Sequence, residues 1–365
     1  MVQIIMTVMA CCAVLGGIDR IIGNKLGLGK AFEEGFQILG PIALSMTGII
    51  CFAPVLSSVL GTVVRPFYRL IGQDPGMFGS ILSIDMGGYQ MAMGLADDKA
   101  IGSFAGIIAA SMLGCTLCFT IPVGMGMFKP EVRRSFSRGI LYGFISIPVA
   151  LFFGALICGF SVGTALWLDL PVLLLSALIM FLLFKFPAGT MKAFSGFALF
   201  LKWLTTAGLA IAAFQYLSGI VILKDLTPVE ESMAIISSIG VTMLGSLPFA
   251  KILEWALKKP MSLLGKSIGI GSEGIMGMLL FYINATPGLT AVPQMTPRAQ
   301  TVVAAFAVCT GSCLTAHFAF TMDVEPALAL PLLVTKLLGG IVGAVFALWM
   351  TRKDGKGGQA NAGGE

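Results

Sequence analysis

The sequence predicts an all-α polytopic membrane protein of eleven apolar segments, about nine crossing helices plus two re-entrant hairpins, arranged as two inverted five-segment repeats. Three observations predict it. Hydrophobic residues fill 57% of the 365 positions and charged residues only 11%, against roughly 25% charged in soluble chains. No polar stretch is long enough to clothe a water-soluble domain. The apolar residues gather into runs of about 20 or more, the length a helix needs to cross a ~30 Å hydrocarbon core. Part of the chain also recurs at a fixed shift.

In chain order, the first run, 2–18, lacks the positive n-region of a signal peptide and is followed by Arg20, Lys25 and Lys30. It reads as a retained first helix with its C-terminal end in the cytoplasm. Further runs lie at 36–62, 76–96, 100–128, 139–160, 164–184, 194–223, 233–257, 270–292, 300–322 and 327–350, and 352–365 reads as a disordered cytoplasmic tail. Glycine, at 46 residues, is nearly double its ~7% average, which suits close helix packing and broken helices. Eight cysteines with one histidine do not make a metal protein. The cysteines all sit in apolar runs as small hydrophobes, and no metal or cofactor is expected. The net charge of +5 comes from residues in short loops, which encodes membrane topology and argues against a nucleic-acid partner.

The recurrence carries Glu33, Glu34, Ile38, Ile42, Met46, Gly48, Phe52 and Ala53 onto Glu230, Glu231, Ile235, Ile239, Met243, Gly245, Phe249 and Ala250, a shift of 197. Gly76 and Gly79 fall on Gly274 and Gly277 with a slip of one, and Gly114 falls on Gly311. Repeat 1 therefore spans 1–162 with a hairpin at 76–97, a linker helix spans 163–190, and repeat 2 spans 191–351 with a hairpin at 270–296. If all eleven segments crossed, the basic loop residues would divide almost evenly between the two sides, against the positive-inside rule. If the third and ninth are hairpins, the loops around Lys25, Arg133, Lys185, Lys258 and Arg352 are all cytoplasmic, and Arg65, Arg69, Lys99 and Lys224 remain outside. The N-terminus is then outside, the C-terminus cytoplasmic, and the halves inverted, as is common in secondary transporters. Glu33–Glu34 and Glu230–Glu231 precede the second and eighth segments, where carboxylates suit a helix N-terminus.

From Gly76 to Ile84 a helix would climb about 14 Å, to the membrane midplane. There stands Asp85-Met86-Gly87-Gly88, in which Gly87 and Gly88 break the helix and free its backbone groups. The second hairpin carries Asn284-Ala285-Thr286-Pro287-Gly288 at the corresponding turn. Pro287 and Gly288 stop that helix, and Asn284 lies one position from Asp85 in the repeat register.

Glu33-Glu34-Gly35-Phe36, Ala53-Pro54-Val55-Leu56, Asp85-Met86-Gly87-Gly88, Gln294-Met295-Thr296-Pro297-Arg298 and His317-Phe318, in their order and spacing, resemble the EutH family of ethanolamine-utilisation membrane proteins. The resemblance covers nearly the whole chain except the tail. It implies a bacterial plasma-membrane (inner-membrane) protein, embedded in lipid, that admits ethanolamine for breakdown inside the cell. It assigns no site residue.

Protonated ethanolamine is a small ammonium ion with one hydroxyl, so its site needs a carboxylate or aromatic face for the cation and a hydrogen-bond partner for the alcohol. Asp85 is the preferred counter-ion, with a coupling-ion or proton site and a helix cap as its alternative readings. Tyr89 and Gln90, one turn on, and Tyr282, Asn284 and Thr286 in the second hairpin are the candidate lining. His317 is a candidate gate or proton relay, although a hydrogen-bonded packing histidine is the commoner role. Glu273 is a second proton-linked candidate, more naturally a first-turn acid, and Lys336 either snorkels or pairs with a carboxylate. No His-Glu-x-x-His, Gly-x-Ser-x-Gly or paired aspartates point to an enzyme. A carrier or uniporter is therefore expected, with a channel-like facilitator, or a carrier of another small organic cation or polar amino compound, as the alternative. A monovalent cation entering down 100 mV gains about 2.3 kcal/mol, roughly fiftyfold accumulation, so uniport suffices energetically. A homodimer is a compatible assembly.

Overall fold

A computed structural model of the chain describes residues 2–82 and 88–352. Residues 83–87, with Asp85 and Gly87, and the residues from 353 on lie outside the described residues. Every regular element among the described residues is helical, and nine helical stretches are long and apolar enough to cross a membrane. Internal pairing of backbone groups is the condition for crossing, and a helix meets it within one segment.

α1 (Val2–Ile21) turns into α2 (Leu28–Gln37) through a loop closed by Asp19. Its carboxylate accepts the Leu26 and Gly29 amides, each at 2.9 Å. After a break at Ile38 comes α3 (Leu39–Leu70). Glu33 and Glu34 therefore do not sit at a helix N-terminus as expected. They lie inside α2, because the helix begins already at Leu28, and Glu33 accepts from Arg20 Nε at 2.6 Å. Their counterparts Glu230 and Glu231 do occupy a first turn, that of the helix at 229–268.

The chain next forms a 3-10 turn at Pro75–Ser80 and, beyond 83–87, α4 (Gly88–Leu95), which packs back on that turn. Asp74 ties both ends together: its carboxylate accepts the amides of Gly76 (2.7 Å), Asp98 (2.9 Å) and Asp97 (3.3 Å). α5 (Lys99–Ser103) continues as π-helix over Phe104–Gly114 and Thr116–Thr120 and ends as α6 (Ile121–Met127). α7 (Pro130–Gly143) and α8 (Ser146–Ile157) form one span, followed by α9 (Val162–Lys185) and α10 (Pro187–Ser218).

α11 (Val229–Ile268) leads into α12 (Gly271–Ile283) and α13 (Ala285–Ala291). Here Arg298 joins the two ends, donating from Nη1 to the Gly269 carbonyl at 3.0 Å. α14 (Pro297–Thr310) breaks at Gly311–Ser312, resumes as π-helix over Cys313–His317 and ends as α15 (Phe318–Val324), before α16 (Ala329–Met350). The two late π-stretches, and α6 and α15 after them, start and stop 197 positions apart, and α4 and α13 begin at the same shift.

The interrupted stretches Lys99–Met127 and Pro297–Val324 form the centre, each 89% buried, whereas α1 and α10 are only 22% buried. Exposed Leu174, Phe181 and Phe184 of α9 and Trp203 of α10 give the bundle its lipid-facing coat.

Candidate functional site

The interruption in α12–α13 falls at Asn284, whose extended backbone (φ −149°, ψ 130°) ends one helix and whose Oδ1 caps the next by accepting the Thr286 amide at 3.0 Å. The break therefore precedes Pro287 and Gly288, which were expected to cause it. Proline is tolerated in a first turn, where its missing N–H has no intrahelical partner to lose. Gly288 has a different role: a Cβ there would stand 2.6 Å from the Phe281 ring, so glycine lets α13 lie against α12.

That break docks on the break in the next helix. Ser312 adopts the left-handed region (φ 54°). Its amide donates to the Phe281 carbonyl (3.0 Å) and its hydroxyl accepts the Ala285 amide (3.1 Å). Thr315 donates to the Ile283 carbonyl at 2.8 Å. The backbone groups freed by both breaks thus satisfy each other in a region that offers no water, which is how irregular backbone survives at membrane depth. Tyr282 donates to the Leu333 carbonyl of α16 at 3.3 Å, and its hydroxyl also meets the Cys313 thiol.

One turn along α16 from Leu333 stands Lys336, fully buried. It neither snorkels nor, among the described residues, pairs with a carboxylate, as had been expected of it. Its Nζ donates to the Ser111 carbonyl at 2.7 Å and to His317 Nδ1 at 2.9 Å. A lysine only ten residues into a span has no interface within reach, so it takes the acceptors that the π-helical stretches hold out. Accepting at Nδ1 puts the proton of a neutral His317 on Nε2. His317, 2% exposed, is thus a hydrogen-bonded core residue, and one bonded to a cation. π-helical turns concentrate at functional sites, and here two of them converge on one ammonium.

Of the first-hairpin residues, Gly88 opens α4 and is buried, and Asp85 and Gly87 lie outside the described residues. Tyr89 crosses to the other half, its ring edge-on to Phe320 at 5.7 Å between centroids. Gln90 Oε1 is buried without a hydrogen-bond partner among the described residues, an open acceptor. Thr286 is exposed.

The structure therefore gathers Tyr282, Asn284 and His317 around one junction and brings Tyr89 against the helix that follows His317. Glu273 stays apart. It opens α12 some ten residues from Asn284, about 16 Å of helix, accepts from Ser272 at 3.1 Å, and lines an open groove of about 840 Å³ with Lys258, Lys259 and Met276. Among the described residues no three His, Cys, Asp or Glu side chains gather as a metal site.

Sequence reasoning passed over Ser111, which contributes only a backbone carbonyl and so has no residue-type signal. It also passed over Asp169, a buried acid in α9, whose Oδ1 has no hydrogen-bond partner among the described residues. A lone aspartate inside the 164–184 run was signal enough to single it out.

Comparison with known proteins extends these findings. The family model described as "Ethanolamine utilisation protein, EutH" matches residues 1–350. The chain is similar to the probable ethanolamine permease EutH of Listeria monocytogenes serotype 1/2a (strain 10403S), 36% identical over 96% of this chain and 94% of the relative. It is also similar to the protein YxeR of Bacillus subtilis (strain 168), 34% identical over 94% and 93%. The probable ethanolamine permease EutH of Salmonella typhimurium (strain LT2) is 32% identical, covering 96% of each chain. No solved structure matches. A family model matched over nearly the full length, with relatives above 30% identity along the same span, makes the chain a member of the EutH family of ethanolamine utilisation proteins.

Proposed function

We propose that this multi-pass membrane protein is a permease, not an enzyme, and that it carries ethanolamine as its ammonium cation across the bacterial plasma membrane. The cargo is the one for which the relatives matched along nearly the whole chain are named. The observation that carries the mechanism is the junction in the heart of an apolar bundle. There the short segment 271–291 and two interrupted helices surround a fully buried lysine and a buried histidine. Polar groups at such depth are costly and serve substrate or ion pathways.

In this reading repeat 1 (1–162) and repeat 2 (191–351) are inverted around the linker 163–190, and the paired segments are re-entrant hairpins returning to the side they left. The ties from Asp74 to Asp97 and Asp98, and from Arg298 to Gly269, favour this, because each joins the two ends of one hairpin. Asp85 is the counter-ion for the ammonium, Gln90 or Asn284 meets the hydroxyl, and Tyr89, Tyr282 and Thr286 line the path. The N-terminus is outside and the C-terminus cytoplasmic. Carrier and channel are separated by counterflow exchange, which only a carrier shows.

Uptake of labelled ethanolamine by the purified protein in liposomes tests the reading. Asp85→Asn should weaken binding about ten- to hundredfold, the worth of a charge-assisted hydrogen bond of about 1.5 to 3 kcal/mol, and Glu33→Gln should matter far less. Unchanged uptake by Asp85→Asn at normal protein levels would remove Asp85 from the site. Cysteines placed near Arg69 and near Lys99 should label from outside, and cysteines near Arg298 from inside. Labelling near Arg69 and Lys99 from opposite faces would sink the hairpin topology.

A further inference from the structure

Lys336 is joined to the rest of the junction by two acceptors, the Ser111 carbonyl and His317 Nδ1, and among the described residues by no carboxylate. The elements packed on α16 bring few other titratable groups toward it. Cys309 comes from α14, Cys313 and His317 from the π-stretch before α15, and Cys115 from between the two earlier π-stretches. The π-helical stretch 104–114 and α8 contain none. Tyr142 of α7 stacks on Phe346, about three turns away along α16, and Tyr282 of α12 bonds to Leu333 and Cys313. A thiol carries no positive charge in either protonation state and His317 accepts at Nδ1, so among the described residues here the lysine is the group whose positive charge depends on a proton that can leave. Arginine could not play this part, because its guanidinium does not give up a proton in proteins.

We propose that Lys336 is the proton-exchanging partner of the cargo: the junction holds one mobile positive charge at a time, and arrival of an ammonium cargo releases a proton from Lys336. This rests on the proposed function, in which the cargo is an ammonium cation. The empty junction carries the one positive charge of Lys336, fully buried and, among the described residues, without a carboxylate partner. A bound ammonium adds a second like charge, and loss of one proton restores the starting charge in a medium that screens charge poorly. The Lys336 ammonium becomes an amine, its proton passes to water on the side where the cargo entered, and the cargo keeps all of its own protons. When the cargo leaves on the other side, the amine takes one proton from water there. A neutral amine still has two N–H donors, one for the Ser111 carbonyl and one for His317 Nδ1, so both hydrogen bonds survive the change. Transport is then a one-for-one exchange of ammonium cargo against a proton, with no net charge moved.

The test uses the full-length protein, purified in detergent at very low buffer strength with a pH-indicating dye, and ethanolamine hydrochloride adjusted beforehand to the same pH. Calorimetry gives the amount bound. The expected result is about one proton released per ethanolamine bound by the parent and none by Lys336→Met or Lys336→Gln. The second variant keeps amide donors for both acceptors should the first fail to fold. Binding by the parent without proton release overturns the proposal and leaves the permease reading intact. Equal release by parent and variants also overturns it, because the proton would then come from the cargo itself. An absence of ethanolamine binding by the parent overturns both. In liposomes, exchange predicts uptake by the parent that is unmoved by an imposed membrane potential, and a fiftyfold response to 100 mV would again overturn it.

Discussion

The two interrupted helices at the centre of the bundle are built to the same plan and have different chemistry. Thr116–Thr120 and Cys313–His317 are π-helical at matching positions, and both run into a short α-helix of seven residues. Yet where one ends in Thr120, whose buried hydroxyl has no partner, the other ends in His317, bonded to Lys336. The first helix passes Gly114 without leaving helical conformation, whereas the second opens at Gly311 (φ −47°, ψ 130°) and receives the Asn284 break. The same backbone device thus occurs twice, 197 positions apart, and one copy ends at the hydrogen-bond partner of a buried lysine. The asymmetry is where function should be sought.

The largest effect should come from testing that asymmetry directly. His317→Ala removes one of the two acceptors that Lys336 has among the described residues and should cost about 3 kcal/mol, read as a clear fall in the thermal midpoint in detergent. Thr120→Val, its positional counterpart, removes a hydroxyl that bonds to nothing and should be neutral or slightly stabilising. Equal losses at the two positions would mean that the Lys336 bond contributes little.

Gly79 and Gly277 offer a second contrast. A Cβ at Gly79 would lie 2.7 Å from both the Cα and the amide nitrogen of Ala92, backbone atoms that cannot step aside, whereas a Cβ at Gly277 would meet the terminal methyl of Met295. Gly79→Ala should therefore cost about 1 to 3 kcal/mol by overpacking, and Gly277→Ala well under 1 because methionine swings away readily. Thermal unfolding of the pair checks the order, and the reverse order would show that α4 is free to shift.

Smaller differences belong to the hairpin bases. Asp74→Ala deprives three amides of their acceptor and should cost about 1 to 2 kcal/mol, more than Arg298→Gln, which loses a single exposed bond to Gly269. The least is expected at Asp97. The Arg69 guanidinium beside it, at 2.6 Å, holds its carboxyl below the usual carboxylate range. Its contribution, under about 1 kcal/mol for so exposed a pair, is therefore complete above pH ~3.9. It is lost as the pH falls through the lowered folded value. The gap in thermal midpoint between parent and Asp97→Asn should close in acid; a constant gap would assign the effect to something other than this charge.

What the sequence by itself determined is the set of segments. Each of the nine described stretches long and apolar enough to cross coincides with an apolar run, and the short helices at 75–80, 88–95 and 271–291 fall on the runs at 76–96 and 270–292. Length and hydropathy are local properties, and in lipid the backbone must pair within its own segment, so little beyond the segment can alter the outcome. The shift of 197 between residue identities is also the offset between the π-stretches 116–120 and 313–317. Tertiary structure decided everything that depended on a partner from elsewhere. Glu33 lies within a helix and faces Arg20 because Asp19 closes the preceding loop. The helix that starts at Gly271 breaks at Asn284 because Ser312 and Thr315 of the neighbouring helix take up the groups that the break sets free. Lys336 meets a carbonyl 225 positions away. A backbone carbonyl has the same identity at every residue, so no pattern in the sequence can mark the one that a buried lysine will find.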